Sequence, residues 1–382
     1  MGKASGSHVA VIGAGVIGLS VAYNLASRGA ESVSVFERLR IAAEASGVQP
    51  GGVRQQWGTE INCSMGREAL EFYRDVQVHL DARVDPGFRS CGYVFLAESA
   101  AMLDTLRANV ELQNSLGVPS EILSSDQIAD VIPDFNGDSI LGAGFCQEDG
   151  YFDRPQSVVE AFADAATRLG VSIEYTEVVG LRRQGSSWFI DKADGSGSSA
   201  DHVVVAAGYD SPNLLQSLGV KLPITKEPRY LFYSPPISER LLEPLVISAE
   251  RQFATKQLGD GRMLASDLAA TGQPEDEIEI WKTRIKANSN QLLPRLEFVP
   301  LSILVEGFYD MTPDGQAVIG PVDGYDGLWI AAGFSGHGFM MAPVVGDRLA
   351  TAVLDGVLEK ELDTLSLARF GEERLLPDPQ VF

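Results

Sequence analysis

The chain is poor in the residues that staple or ligate. Its three cysteines, Cys63, Cys91 and Cys146, are odd in number, far apart and in no C-x-x-C pair. That excludes a disulfide framework and a thiolate zinc site. The four histidines, His8, His79, His202 and His337, are equally scattered, and no H-x-x-x-H occurs; no metal site is expected. Basic residues are also short: 30 Lys and Arg face 52 Asp and Glu, a net charge of −22. Phosphate backbones and anionic membrane surfaces would repel such a chain, so nucleic acid is not an expected partner. Internal repeats, low-complexity tracts and a membrane-spanning run are absent too.

What is present is glycine, 39 residues of it in 382, enough chain for two or three domain-sized cores. The stretch "HVAVIGAGVIGLSVAYNL" near the start is apolar and could pass for a signal peptide. Its glycines sit at motif spacing and it runs on into a helix, which argues against export. "MGKASG" approaches an N-myristoylation template but has Gly6 where Ser or Thr is needed. A cytoplasmic protein is the expectation.

"HVAVIG" reads as a strand, "VIGLSVAYNLASRG" as a helix ended by Gly29, and "SVSVFE" as a second strand. This βαβ unit calls for a parallel sheet. A long Gly/Ser/Pro-rich loop is expected over residues 44–58. Helices follow near 66–84 and 100–116, with a strand at 92–97 between them and a short capped helix at 124–133. Helix, strand and helix patterns recur over 154–219. From 228 to 308, strands "RYLFYS", "RMLAS" and "ILVEGFY" surround a polar helix near 275–290, an antiparallel α+β pattern. The strand "GLWIAAG" and a helix from about Phe339 close the chain. The economical division is one α/β domain in three pieces, 1–85, 146–225 and 312–382, and a second domain from the insertions 86–145 and 226–311.

Gly13, Gly15 and Gly18 form G-x-G-x-x-G between a strand and a helix, the context that gives this motif meaning. Gly13 permits the tight turn, Gly15 lets backbone approach a pyrophosphate, and Gly18 lets helix and strand pack closely. The helix N-terminus offers N–H groups and positive partial charge to phosphates. Glu37 stands 19 residues after Gly18, where a carboxylate can accept ribose hydroxyls. The motif alone does not choose between NAD and FAD.

Two further segments, "VVVAAGYDS" (203–211) and "PDGQAVIGPVDGYDGLWIAAGFSGHGFMMAPVVG" (313–346), resemble, with the first, the three signature segments of the FAD-dependent amino-acid and amine oxidase family, which includes sarcosine, glycine and D-amino-acid oxidases. The resemblance runs over nearly the whole chain. It implies a discontinuous, Rossmann-like FAD domain of the GR2 type and an inserted α+β substrate domain on a mixed antiparallel sheet. It implies FAD contacts at Gly13, Ala14, Gly15, Val16, Ile17 and Gly18, at Glu37, Arg38, Ala45 and Ser46, and at Val178, Ala206, Ala207 and Gly208. The loop Gly333, Phe334, Ser335, Gly336, His337, Gly338, Phe339 and Met340 would lie against the isoalloxazine, with His337 at the ring edge and a helix N-terminus aimed at the pyrimidine.

The chemistry implied is hydride removal from the α-carbon of a small amino acid or N-alkyl amino acid, giving an imine that water hydrolyses. A substrate carboxylate calls for arginine, whose planar fork is bidentate. Glycine and D-amino-acid oxidases carry that arginine in G-L-R-P before "PDG"; here Tyr309 occupies the place. In sarcosine-oxidase-like proteins an arginine in the loop after the second strand serves, and Arg54 in "GGVRQQW" matches it. "GGVRQQW" and "YDMTPDG" together resemble the branch of sarcosine oxidase and proline dehydrogenase β subunits, so a partner chain or homo-oligomer is an alternative. Tyr230 is a weaker candidate for the pocket wall.

The Cys and His residues that tether flavin in relatives have no counterpart here, so non-covalent FAD is expected. Met340 stands where a relative has a carboxylate-binding lysine, and Met263 where another has an oxygen-activating one, with Lys256 or Arg251 as possible substitutes on neighbouring positions. A dehydrogenase or slow oxidase follows, passing electrons to O2 or another carrier.

Overall fold

The computed structural model describes residues 7–380; the N-terminal stretch weighed for myristoylation lies outside them. A six-stranded sheet runs in the order Val318–Pro321, Leu328–Ala332, His202–Val205, His8–Ile12, Ser32–Glu37, Ser172–Tyr175. Its first pair is antiparallel and the rest are parallel. The central strands His202–Val205, His8–Ile12 and Leu328–Ala332 are apolar at nearly every position because both faces are covered. Val9, Val11, Val33 and Val35 meet helices Val16–Ser27, Gln156–Arg168 and Gly338–Asp355 on one side. Ala10, Ile12, Val203 and Val205 meet Trp188 and Ile190 of a three-stranded sheet on the other.

The second body is an eight-stranded sheet in the order Ile303–Met311, Thr225–Tyr233, Met263–Asp267, Phe253–Gln257, Leu245–Ser248, Tyr93–Ala97, Gly142–Cys146, Glu121–Leu123. The pair Leu245–Ser248 and Tyr93–Ala97 is parallel and the other six are antiparallel. Period-two alternation sorts its side chains. Tyr230, Phe232, Phe253, Met263 and Ala265 point to helix Pro274–Leu292, where Trp281 stacks on Tyr230 at 4.3 Å. Tyr93 and Phe95 belong to a separate cluster with Tyr151 on the other face.

Three differences from expectation have physical causes. The loop at 44–58 contains a helical turn, Ala45–Val48, and a short strand, Gly52–Val53, that pairs with Gly150–Phe152. The helix expected near 66–84 is Glu60–Arg74, followed by the separate turn Val76–His79; it opens with Glu60, an acidic residue suited to a helix N-terminus. Strands Leu245–Ser248 and Phe253–Gln257 were not anticipated, because buried Ser248, Thr255, Lys256 and Gln257 break the apolar pattern.

The turn after the first strand is fixed sterically. Gly13 has φ 108°, and a Cβ there would meet the Ala206 carbonyl oxygen at 2.4 Å. A Cβ on Gly18 would lie 2.0 Å from the Gly13 carbonyl oxygen. Gly18→Ala must therefore push helix from strand, and we expect a loss of about 1–3 kcal/mol, read as a lower urea midpoint at unchanged slope. An unaltered midpoint would contradict this packing.

Candidate active site

A cleft of about 420 Å³ runs between the two sheets. The carboxyl end of the first strand and the start of the first helix line one end, through Gly13, Gly15, Val16 and Ile17. Gly15 is the helix N-cap and has no side chain to cap with. Glu37 closes the neighbouring strand; its Oε2 accepts from Ala14 N at 2.9 Å and its Oε1 from Leu39 N at 2.8 Å. Ser46 Oγ accepts from Val16 N at 3.0 Å. Arg38 lies at the rim, 2.8 Å from Asp210 and 3.3 Å from Glu44.

The same cleft is lined by Ala45, Ser46, Val178, Ala206, Ala207, Gly208, Tyr309, Phe334, Gly336, Gly338 and Phe339. Thus most residues singled out from sequence, taken from seven separate stretches, converge on one surface. Ala14, Gly18, Gly333, Ser335, His337, Met340 and Arg54 do not line it. Ala14 and Gly18 lie beneath the turn, one donating to Glu37 and one packed on Gly13. Ser335 supports the loop from behind, its Oγ accepting from Thr312 N at 3.2 Å.

The structure places His337 off the lining of the cleft. Its ring is 4 % exposed and packs edge-on against Trp57 at 5.3 Å, away from the lining. Burial, helped by the nearby Arg54 charge, pulls the imidazole down to about 4. It is a neutral buried residue whose Nδ1 has no hydrogen-bond partner among the described residues. Tyr230 faces the helix-covered core, not the pocket, because alternation turns it there. Met263 faces that core as well. Met340 is half-buried, its Cε near Gly52.

Arg54 lies behind the cleft and is 6 % exposed. Its guanidinium covers the Trp57 ring at 3.6 Å and donates to the carbonyl oxygens of Gln56 and Gln380 at 2.5 and 2.6 Å. Among the described residues it makes no ion pair. Burial lowers its pKa, and the charges of Tyr93, Asp378 and Asp149 act against that. The Tyr309 ring lies against Gly336 on the cleft wall, and the Arg229 and Arg54 charges offset the rise that burial imposes on its hydroxyl.

Sequence reasoning missed Arg229 and Asp310, and named Lys256 only as a substitute for the charge lacking at Met263. Arg229 lines the cleft, 4.8 Å above the Tyr309 ring, with Nη2 3.2 Å from Glu227. Period-two alternation with Tyr230 and Phe232 would have placed it on this face. Asp310, raised to about 6 by burial, accepts from Gly333 N at 2.7 Å and fixes the glycine loop. Lys256 is fully buried; its amine donates to Pro50 O, a cleft residue, lies 3.8 Å from the Tyr151 ring, and is pulled down to about 7 by burial.

The His337 shift has a sign that can be measured. An unfolded histidine titrates near 6.5, the folded one at about 4. The unfolded chain therefore binds the extra proton between those values. The contribution is fully present above about pH 6.5 and is lost as pH falls towards 4. Between pH 7.5 and 5 the wild type should lose roughly 2 kcal/mol relative to His337→Gln, measured by urea titration. Asp149 and Asp310, both raised to about 6, stabilise in the opposite direction but do so in both proteins. Equal pH slopes would refute a buried neutral His337.

Residues 8–352 match the family described as DAO, FAD dependent oxidoreductase. The chain is 28% identical to FAD-dependent oxidoreductase domain-containing protein 1 of Bos taurus over 95% of this chain and 84% of that one. It is 25% identical to 4-methylaminobutanoate oxidase (formaldehyde-forming) of Paenarthrobacter nicotinovorans, over 94% of this chain but only 45% of that one. The structure superposes on L-proline dehydrogenase from P.horikoshii with a TM-score of 0.88 and 26% identity, covering 97% of this chain and all of the other. Among the described residues no helix is long and apolar enough to cross a membrane. With the glycine-lined cleft, the helix N-terminus and Glu37 in their places, the chain belongs to the DAO family of FAD-dependent oxidoreductases acting on amino acids or amines.

Proposed function

We propose that this enzyme oxidises a small amino acid or N-alkyl amino acid, sarcosine- or proline-like, at its α-carbon. The observation that carries the reading is Arg54. A guanidinium this deeply buried normally has a carboxylate partner, yet its acceptors here are two neutral carbonyls. A substrate carboxylate would complete its charge pairing. Two of its five N–H groups are used, so three remain for an incoming carboxylate.

The cleft residues fit FAD, held non-covalently: the first-helix N-terminus for the pyrophosphate, Glu37 for the ribose, and the glycine loop from Gly336 for the flat ring. FAD, when bound, accepts the hydride that leaves the α-carbon. The chain's own residues do the rest. Arg54 orients the carboxylate so that the α-carbon faces the cleft. Tyr309 and the buried Trp57 exclude water while the C–H bond breaks. His337, neutral near pH 7, adds no competing charge. As hydride departs, the neutral amine's lone pair becomes the C=N bond of an iminium; its N–H proton passes to solvent, and water then adds to the released imine. In this arrangement the six-stranded sheet carries the cofactor and the eight-stranded sheet walls the substrate.

The resemblance to β subunits motivates the other arrangement, a chain of little activity without partners; turnover of the isolated chain with an artificial acceptor distinguishes the two. The flavin should bleach anaerobically with an N-methyl or cyclic amino acid and not with the corresponding amine lacking a carboxylate. Arg54→Ala should retain FAD and lose on the order of 10² in kcat/KM. Equal bleaching by the carboxylate-free amine would refute the role of Arg54. The rate at which air restores the yellow colour then separates oxidase from dehydrogenase.

A further inference from the structure

Arg54 is held by a part of the chain 326 residues away. Its Nη2 donates to the Gln380 carbonyl oxygen at 2.6 Å. The Gln380 side chain accepts from Gln113 Nε2 at 3.0 Å, and the same Nε2 donates to Trp57 O at 2.8 Å. Trp57 Nε1 in turn donates to Arg54 O at 3.1 Å. These four residues form a closed ring of hydrogen bonds around the guanidinium. The ring is fastened by Asp378. Its Oδ1 accepts from Gly58 N at 3.0 Å and from Gln380 N at 2.8 Å. Its Oδ2 accepts from Thr59 Oγ1 at 3.0 Å and Asn62 Nδ2 at 2.9 Å.

We propose that the strap Asp378–Gln380 is a positioning element for the substrate site, which sets the rotamer and direction of Arg54 and so the carboxylate preference of the enzyme. The inference rests on the reading of Arg54 as the carboxylate partner. An arginine side chain has several rotatable bonds and would otherwise pay entropy to be fixed. Here two carbonyls and an aromatic face fix it before ligand arrives. Asp378 and Gln380 are 6 % and 2 % exposed, and neither lines the cleft that fits FAD. Its loss should thus be felt by carboxylate ligands and not by the cofactor.

The test uses the FAD-loaded enzyme. Acetate is the carboxylate probe and dimethylamine the carboxylate-free control, both followed by the change in flavin absorbance. Asp378→Ala should weaken acetate on the order of tenfold and leave the dimethylamine and FAD affinities within about twofold. Asp378→Asn, which keeps acceptor oxygen, should recover part of the loss. If Arg54→Lys weakens acetate but Asp378→Ala does not, the strap has no positioning role. If neither weakens acetate, the carboxylate reading of Arg54 fails, and the strap proposal falls with it. Should both Asp378 variants lose FAD or fold while Arg54→Lys keeps both, the strap is structural and the proposal is overturned.

Discussion

The site is organised by one constraint: a guanidinium is buried without a carboxylate. Placing a charge out of water is costly unless its donors are satisfied. Around Arg54 the chain supplies neutral acceptors and two aromatic rings, Trp57 at 3.6 Å and Phe95 at 5.1 Å. It also supplies carboxylates at one remove, Asp149 and Asp378, whose fields favour the cation. Asp149 is itself buried and raised to about 6, held by Gln55 and Gln56. The loop 54–57 is therefore fixed between two acidic residues that do not touch the arginine.

A second buried charge network holds the frame on which that loop depends. Arg369 and Asp314 form an ion pair at 2.8 Å, with both side chains at most 1 % exposed. Arg369 also donates to Leu365 O and Gln316 O, so the fork leaves little unsatisfied. Asp314 comes from the "PDG" turn, and its Oδ2 accepts from Leu376 N at 3.2 Å. From Leu376 the chain runs on to Asp378. The turn that opens the last cofactor segment and the strap that grips Arg54 are thus anchored to one carboxylate. Breaking such a pair by removing one partner typically costs 3–5 kcal/mol, because the other charge stays buried.

What the sequence made legible was local. The glycine turn, the helix it opens and Glu37 lie within about 25 residues and obey steric rules that need no tertiary context. Likewise the strand, helix and strand that open the chain announced a parallel sheet. Arg54 could be chosen as a side chain but not placed: its partner Gln380, and Gln113 which holds Gln380, join from distant chain by backbone and amide groups that carry no motif. The direction of the His337 ring was not legible for a related reason. Its glycine neighbours lie on the cleft, but the ring turns inward to Trp57, a choice made by packing between loops.

The eight-stranded sheet shows how one register decides chemistry. Residues 256 and 264 are paired across adjacent strands, and 263 and 265 flank the latter. Alternation sends Met263 and Ala265 to the helix-covered core, so the opposite face receives Leu264 and Lys256. Matching residues by linear spacing singled out Met263 as lacking a charge and named Lys256 or Arg251 on neighbouring positions as substitutes. The fold presents Lys256 from the next strand, with its amine on the Pro50 carbonyl. A slip of one residue exchanges the two faces completely. The absence of lysine at 263 therefore says nothing about charge beside the cleft. The position to interrogate is 256, whose amine, pulled down to about 7, is poised between its two charge states near neutrality.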